Sequence, residues 1–182
     1  TLLVFPALCL LLNCRRVELP VLGRAPEFSL IAQDGSTFNA VNLRGTPWLA
    51  YFFFTSCTGP CPAINANVAS LLTNQALAPF HAVAISIDPV HDSPEVLRKY
   101  ASKYEADAKR WHFLTGAFDD IRRIAQDGFH LGVSSSLLHS TKILLIDAEF
   151  NIRAMCTGTE EDCVRELSAA LKSESLIAPA KK

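Results

Sequence analysis

The apolar positions of this chain fall into two kinds of run. Residues 47–54 (Pro-Trp-Leu-Ala-Tyr-Phe-Phe-Phe) are continuously apolar over strand length, the pattern of a central strand covered on both faces. The run stops at Thr55, Ser56 and Cys57. Beyond Cys61 and Pro62, the residues Ile64, Val68, Leu71 and Leu72 recur at helical spacing, and a proline, having no N–H, is at home in a first helical turn. The spacing therefore predicts a helix that starts at the second cysteine. Residues 82–87 read as the next buried strand. Asp92, Ser93 and Pro94 then open a second helix, with Asp or Ser as its cap and Val96, Leu97, Tyr100, Ala101 and Tyr104 turned inward. Residues 111–114 read as a short strand, and residues 118–126 as a helix with Ile121, Ile124 and Ala125 inward and Gly128 as its glycine cap. Residues 142–147 and 151–155 form a strand pair around Ala148, Glu149 and Phe150, and a last helix opens at Thr159 with Val164, Leu167 and Leu171 inward. Ahead of all these, residues 28–31 and 37–39 flank the turn pair Asp34 and Gly35, which predicts a short leading hairpin.

Strands alternating with helices, then a late hairpin and a final helix, give an α/β fold: a mixed central sheet flanked by helices, preceded by a β-hairpin. That order fits a thioredoxin-like fold. With 182 residues, 49% of them hydrophobic, the chain has enough for one domain with a full core and a short N-terminal appendage. Its 17 basic and 18 acidic residues leave a net charge of -1 with no basic cluster, which argues against nucleic acid as a partner.

Residues 1–12 hold Leu2, Leu3, Val4, Phe5, Leu8, Leu10, Leu11 and Leu12 and no charge, the makings of a signal-peptide core or part of a membrane anchor. Alone the run is too short to span a bilayer, which takes about 20 apolar residues. Leu11, Leu12, Asn13 and Cys14 resemble a lipoprotein cleavage site, with Asn in place of the usual small residue; Arg15 and Arg16 count against simple export. The expected organisation is a signal-peptide remnant or membrane or lipid anchor over residues 1–22, one domain over 23–175 and a flexible tail over 176–182. Such a chain is expected to be exported and membrane-tethered, facing the periplasm or, in a eukaryote, the mitochondrial intermembrane space.

The chemistry concentrates at Cys57 and Cys61, four residues apart at a strand-to-helix junction. A helix N-terminus favours thiolate, which is both the redox nucleophile and the soft-metal ligand. Spacing alone leaves open an inert disulfide or two buried thiols. Four blocks narrow the choice: residues 54–62 around the cysteines, residues 85–100 (Ile-Ser-Ile-Asp-Pro-Val-His-Asp-Ser-Pro-Glu-Val-Leu-Arg-Lys-Tyr), residues 111–116 (Trp-His-Phe-Leu-Thr-Gly) and residues 139–147 (His-Ser-Thr-Lys-Ile-Leu-Leu-Ile-Asp). In order and spacing, from about Gly23 to Lys172, they resemble the SCO/SenC family.

That resemblance implies that Cys57, Cys61 and His139 bind copper as Cu(I) or Cu(II), and that the cysteines cycle between dithiol and disulfide. Thiolates prefer Cu(I), and an imidazole suits either oxidation state. By residue reading alone, a single histidine at a strand entrance is more often structural. Asp88 and Asp92 match acidic positions near the family's copper site, where they would steer a ligand or a docking partner; Asp92 serves equally well as a helix cap. His91 reads as a solvated loop histidine, and His81, His112 and His130 have no companion ligands in sequence. Cys156 and Cys163 flank the last strand-to-helix turn and read as a structural disulfide, with a relay thiol as the alternative. Thr58 departs from the proline common after the family's first cysteine, and the stretch before His139 is short.

The implied function is a metallochaperone that assists assembly of the copper centre of cytochrome c oxidase by delivering copper, by reducing target cysteines, or both. The implied partners are the copper-centre subunit or another cuproprotein, and other copper chaperones. A metal-free thiol-disulfide oxidoreductase is the rival, and His139 discriminates, since disulfide exchange does not need it. Thr58-Gly-Pro-Cys61 echoes a peroxidatic loop, but Phe54 stands where such a loop has proline.

Overall fold

The computed structural model describes residues 19–77, 79–131, 140–173 and 176. Eight strands form one mixed sheet: β1 (Gly23–Arg24), β2 (Ser29–Ala32), β3 (Thr37–Asn39), β4 (Trp48–Phe53), β5 (His81–Ser86), β6 (Trp111–Thr115), β7 (Lys142–Ile146) and β8 (Asn151–Thr157). Their spatial order is β1-β8-β7-β4-β5-β6-β2-β3. The helices are α1 (Cys61–Thr73), α2 (Pro94–Ser102), α3 (Phe118–Arg123) and α4 (Glu161–Leu171), with a short 3-10 turn at Ala40–Leu43. The fold is thioredoxin-like, with the leading hairpin β2–β3 added to the sheet.

The apolar run of residues 47–54 becomes β4, buried at all six positions, because strands lie on both sides of it and helices on both faces. It runs parallel to β5 and antiparallel to β7. Leu49, Tyr51 and Phe53 face α1, α2 and α4; Trp48, Ala50 and Phe52 face Leu43 of the 3-10 turn, Ile121 of α3 and Phe129. Two apolar layers therefore share one strand, and the alternation of side chains along it decides which layer each residue joins. Among the described residues no helix is long and apolar enough to cross a membrane.

Several sequence expectations change. Val96 was expected inward but is 38% exposed, because α2 buries only Leu97, Tyr100 and Ala101. Val164 is only half-buried, while Cys163, Leu167 and Leu171 supply the inward face of α4. Gly128 is not a left-handed helix cap: α3 runs on into a wide turn over Ile124–Gly128, which Phe129 closes at φ -97°. Glycine is required there because Pro26 packs against it, so that a Cβ would come within 2.4 Å of Pro26 Cγ. The leading hairpin is present as expected, and β2 joins it to the main sheet by pairing with β6. Strand β1, which no periodicity announced, pairs with β8. The N-terminal run, residues 132–139 and most of the expected tail lie outside the described residues.

Candidate metal and thiol site

Cys57 and Cys61 stand where the parallel part of the sheet ends. β4 closes at Phe53, the chain turns, with the Cys57 N–H donating to the Phe54 carbonyl at 3.2 Å, and α1 starts at Cys61 behind Pro60. No side chain caps that helix and no acidic residue occupies its first turn, so its N–H groups remain for the sulfurs. Both cysteines are free thiols, Cys57 partly exposed and Cys61 buried. Burial pushes the Cys57 thiol up. Hydrogen bonds from the Cys61 thiol and from the Cys61 and Gly59 backbone N–H groups outweigh it and hold Cys57 below the ordinary thiol value. Burial, and then the neighbouring Cys57 sulfur, push Cys61 up to about 12. One thiol is thus accessible and acidic and the other sheltered and basic, the asymmetry expected of a nucleophile and its resolving partner.

The frame around the pair is polar where it must be. In α1, Asn65 accepts from the Tyr51 hydroxyl at 2.6 Å and donates to the Tyr100 hydroxyl at 2.9 Å, while Trp111 Nε1 donates to Tyr51 at 3.0 Å. Every polar group of this buried chain finds a partner, which fixes α1, and with it Cys61, against the sheet.

Asp92 is 1% exposed and bridges the cysteine loop and the end of β5. Its carboxylate accepts from the Thr55 N–H at 3.1 Å, from the Thr55 hydroxyl and from the Ser86 hydroxyl. Thr55 is two residues before Cys57, so Asp92 latches the cysteine loop to the end of β5. It does not cap α2: Ser93 does, accepting from the Val96 N–H at 3.4 Å. Asp88 instead pairs with the exposed His91, its carboxylate 2.9 Å from Nδ1. Cys156 and Cys163 are joined as a disulfide between β8 and the first turn of α4. The turn between them abuts α1, where Asn67 donates to the Gly158 carbonyl at 2.8 Å.

His139 lies outside the described residues. Ser140, covalently joined to it, and Thr141 line one small cavity with Cys61, Ile64 and Ile87. Among the described residues no group of three or more His, Cys, Asp or Glu side chains is placed to hold a metal. The two thiols suit a thiophilic ion such as Cu(I), and a third protein ligand has to come from elsewhere. Sequence reading missed one cluster: His81 and His112, dismissed for want of companions, meet with ring nitrogens 3.2 Å apart at the other end of β5 and β6. Only strand register reveals that meeting, because 31 residues separate them.

The family model SCO1/SenC matches residues 22–174, and the chain belongs to that family. The SCO1 protein homolog of Bacillus subtilis is 26% identical over 183 residues, spanning 96% of this chain and 94% of its own. A SCO2-like protein of Rickettsia felis is 34% identical over 163 residues, 78% of each chain. Among solved structures, BsSco, described as a Sco-family cytochrome c oxidase assembly protein with a disulfide switch, superposes with a TM-score of 0.78 at 26% identity, covering 90% of this chain and 100% of its own. Yeast Sco1 with copper bound has a TM-score of 0.70 at 24% identity over 88% of this chain and 92% of its own, a likeness of fold.

Proposed function

We propose that this chain is a copper-carrying, thiol-active assembly factor for cytochrome c oxidase, with Cys57 and Cys61 as sulfur ligands and His139 as the third. The observation that carries the reading is the asymmetric pair of free thiols at the uncapped start of α1. Family membership and the description of BsSco support it, and so does the cavity that Cys61 shares with Ser140, next in sequence to His139. Copper is cargo here, and the thiolates give it a soft, transferable seat. In the thiol branch, the Cys57 thiolate attacks a disulfide sulfur of the target and expels one target thiolate. Cys61 then displaces the second, so two electrons pass to the target and the Cys57–Cys61 disulfide remains. Asp92 keeps the cysteine loop in place, and Asp88 with His91 stands ready to meet a partner. The partner would be a copper-centre subunit of the oxidase or another cuproprotein. The domain would span residues 23–175, exported and held at a membrane by the segment before it.

Titration of fully reduced protein with Cu(I) against a competing chelator tests this, with one equivalent retained and Cys57→Ser or Cys61→Ser abolishing it. His139→Ala should weaken Cu(II) binding by more than the roughly 10- to 100-fold typical of an outer-shell change, while disulfide exchange continues. Unchanged copper affinity with collapsed exchange would hand the function to the metal-free oxidoreductase.

A further inference from the structure

We propose that the Cys156–Cys163 disulfide is a redox control on the thiol pair: intact, it keeps Cys61 sheltered, and its reduction opens Cys61 to exchange. The inference deepens the thiol branch of the reading above and rests on it, but it does not require copper. Cys156 closes the way out of β8 and Cys163 stands in the first turn of α4, so the bond fixes both ends of the turn that joins them.

That turn touches both walls around Cys61. Toward α1, the Gly158 carbonyl accepts from Asn67 at 2.8 Å. Toward β7, the Gly158 N–H donates to the Thr141 carbonyl at 2.7 Å, and Lys142 Nζ donates to Thr157 Oγ1 at 2.9 Å. Gly158 fits so closely between the two elements that a Cβ there would lie 2.8 Å from the Ile143 side chain and 3.1 Å from that of Ile64. Ile64 is one helical turn from Cys61, and it lines the small cavity that Cys61 shares with Thr141. The turn is therefore a wedge seated between α1 and the start of β7, and Cys61, 5% exposed, is sheltered where those two walls meet.

The disulfide is what pins the wedge. Thr159 and Glu160 are exposed, and α4 starts behind Glu160 with no side-chain cap. With the bond broken, hydrogen bonds and the packing of Gly158 hold the turn, and its local opening is no longer limited by a covalent link. The two sulfurs are unequally placed for exchange, since Cys156 is partly exposed and Cys163 only 1% exposed. One thiolate of a dithiol attacks Cys156 Sγ and expels the Cys163 thiolate, which takes up a proton. The second thiol of the dithiol gives up its proton and displaces Cys156 from the mixed disulfide. Two electrons pass to the protein, the dithiol leaves as a disulfide, and Cys156 and Cys163 end as thiols. The same class of reductant serves Cys57 and Cys61, so one reducing partner acts on both pairs. Coupling between two such sites is reciprocal and typically amounts to about 5- to 150-fold.

The test follows alkylation of the full chain by iodoacetamide under native conditions, with the modification at each sulfur read by peptide mass spectrometry. Three forms are compared, all with Cys57 and Cys61 reduced: Cys156–Cys163 intact, Cys156–Cys163 reduced, and Cys156→Ser combined with Cys163→Ser. The expected result is that Cys61 reacts slowly in the first form, and that the ratio of its rate to that of Cys57 rises at least about fivefold in the other two. An unchanged ratio would overturn the proposal, because a loss of stability alone exposes both sulfurs together. If the double variant fails to fold, Asn67→Ala takes its place, keeping the disulfide and removing the bond from α1 to the turn; a raised ratio supports the proposal and an unchanged one overturns it. Copper takes no part in any arm, so an unchanged ratio leaves the copper reading standing. Equal rates at Cys57 and Cys61 in the intact form would instead overturn the asymmetry on which that reading rests, and this proposal with it.

Discussion

Replacing Asp92 tests whether one buried carboxylate holds the cysteine loop. Asp92→Ala removes the acceptor for the Thr55 N–H, the Thr55 hydroxyl and the Ser86 hydroxyl at once. Ser86 is fully buried, so its hydroxyl and the Thr55 amide pay most of the cost, whereas the partly exposed Thr55 hydroxyl can turn to water. At about 1–3 kcal/mol for each of these two stranded donors, the variant should lose about 2–6 kcal/mol. Asp92→Asn keeps the shape and one acceptor oxygen and forfeits charge assistance, so its loss should be about 1–2 kcal/mol. Urea unfolding measures both as a lowered midpoint at unchanged slope. The latch also has a chemical readout, because Thr55 leads directly to Cys57. With the loop released, the pH profile of Cys57 alkylation should move up toward that of an ordinary thiol, since the N–H groups of Gly59 and Cys61 no longer converge on the sulfur. An Asp92→Ala protein within 0.5 kcal/mol of the parent, with an unchanged alkylation profile, would refute the reasoning.

Acid should weaken the fold through the histidine pair. A histidine depressed in the folded state takes up its proton more readily when unfolded, so its contribution is complete above the ordinary 6.5 and fades as pH falls toward about 4. That gap, at about 1.36 kcal/mol per pH unit, bounds the contribution at roughly 3 kcal/mol. Urea midpoints at neutral and acid pH should therefore diverge less in His112→Gln than in the parent, and equal divergence would exclude the pair as the cause. Breaking the disulfide with Cys156→Ser and Cys163→Ser, which are 7 residues apart, should cost about 2–3 kcal/mol by loop entropy. An unchanged urea midpoint would show that packing at Gly158 and Cys163 holds the turn without the bond.

Much of this protein could be read from one line of residues. The unbroken apolar run of residues 47–54 suited a buried central strand, and the Pro62 start with Ile64, Val68 and Leu71 behind it suited a helix rooted at Cys61; both are found. Those are local facts, set by periodicity and by the conformational limits of proline, and together they put two thiols at a helix N-terminus. The four sequence blocks carried the family in the same way, as residues at fixed spacing. What tertiary structure alone decided are the contacts between segments remote in sequence. Asp92 looked like a cap because caps are local, yet its carboxylate reaches Thr55 across 37 positions. Gly128 looked like a helix stop, yet its lack of a Cβ makes room for Pro26. His81 and His112 looked solitary, and the parallel register of β5 and β6 brought their ring nitrogens within hydrogen-bond distance. Register and loop docking follow from the packing of the whole sheet, so no window along the chain contains them.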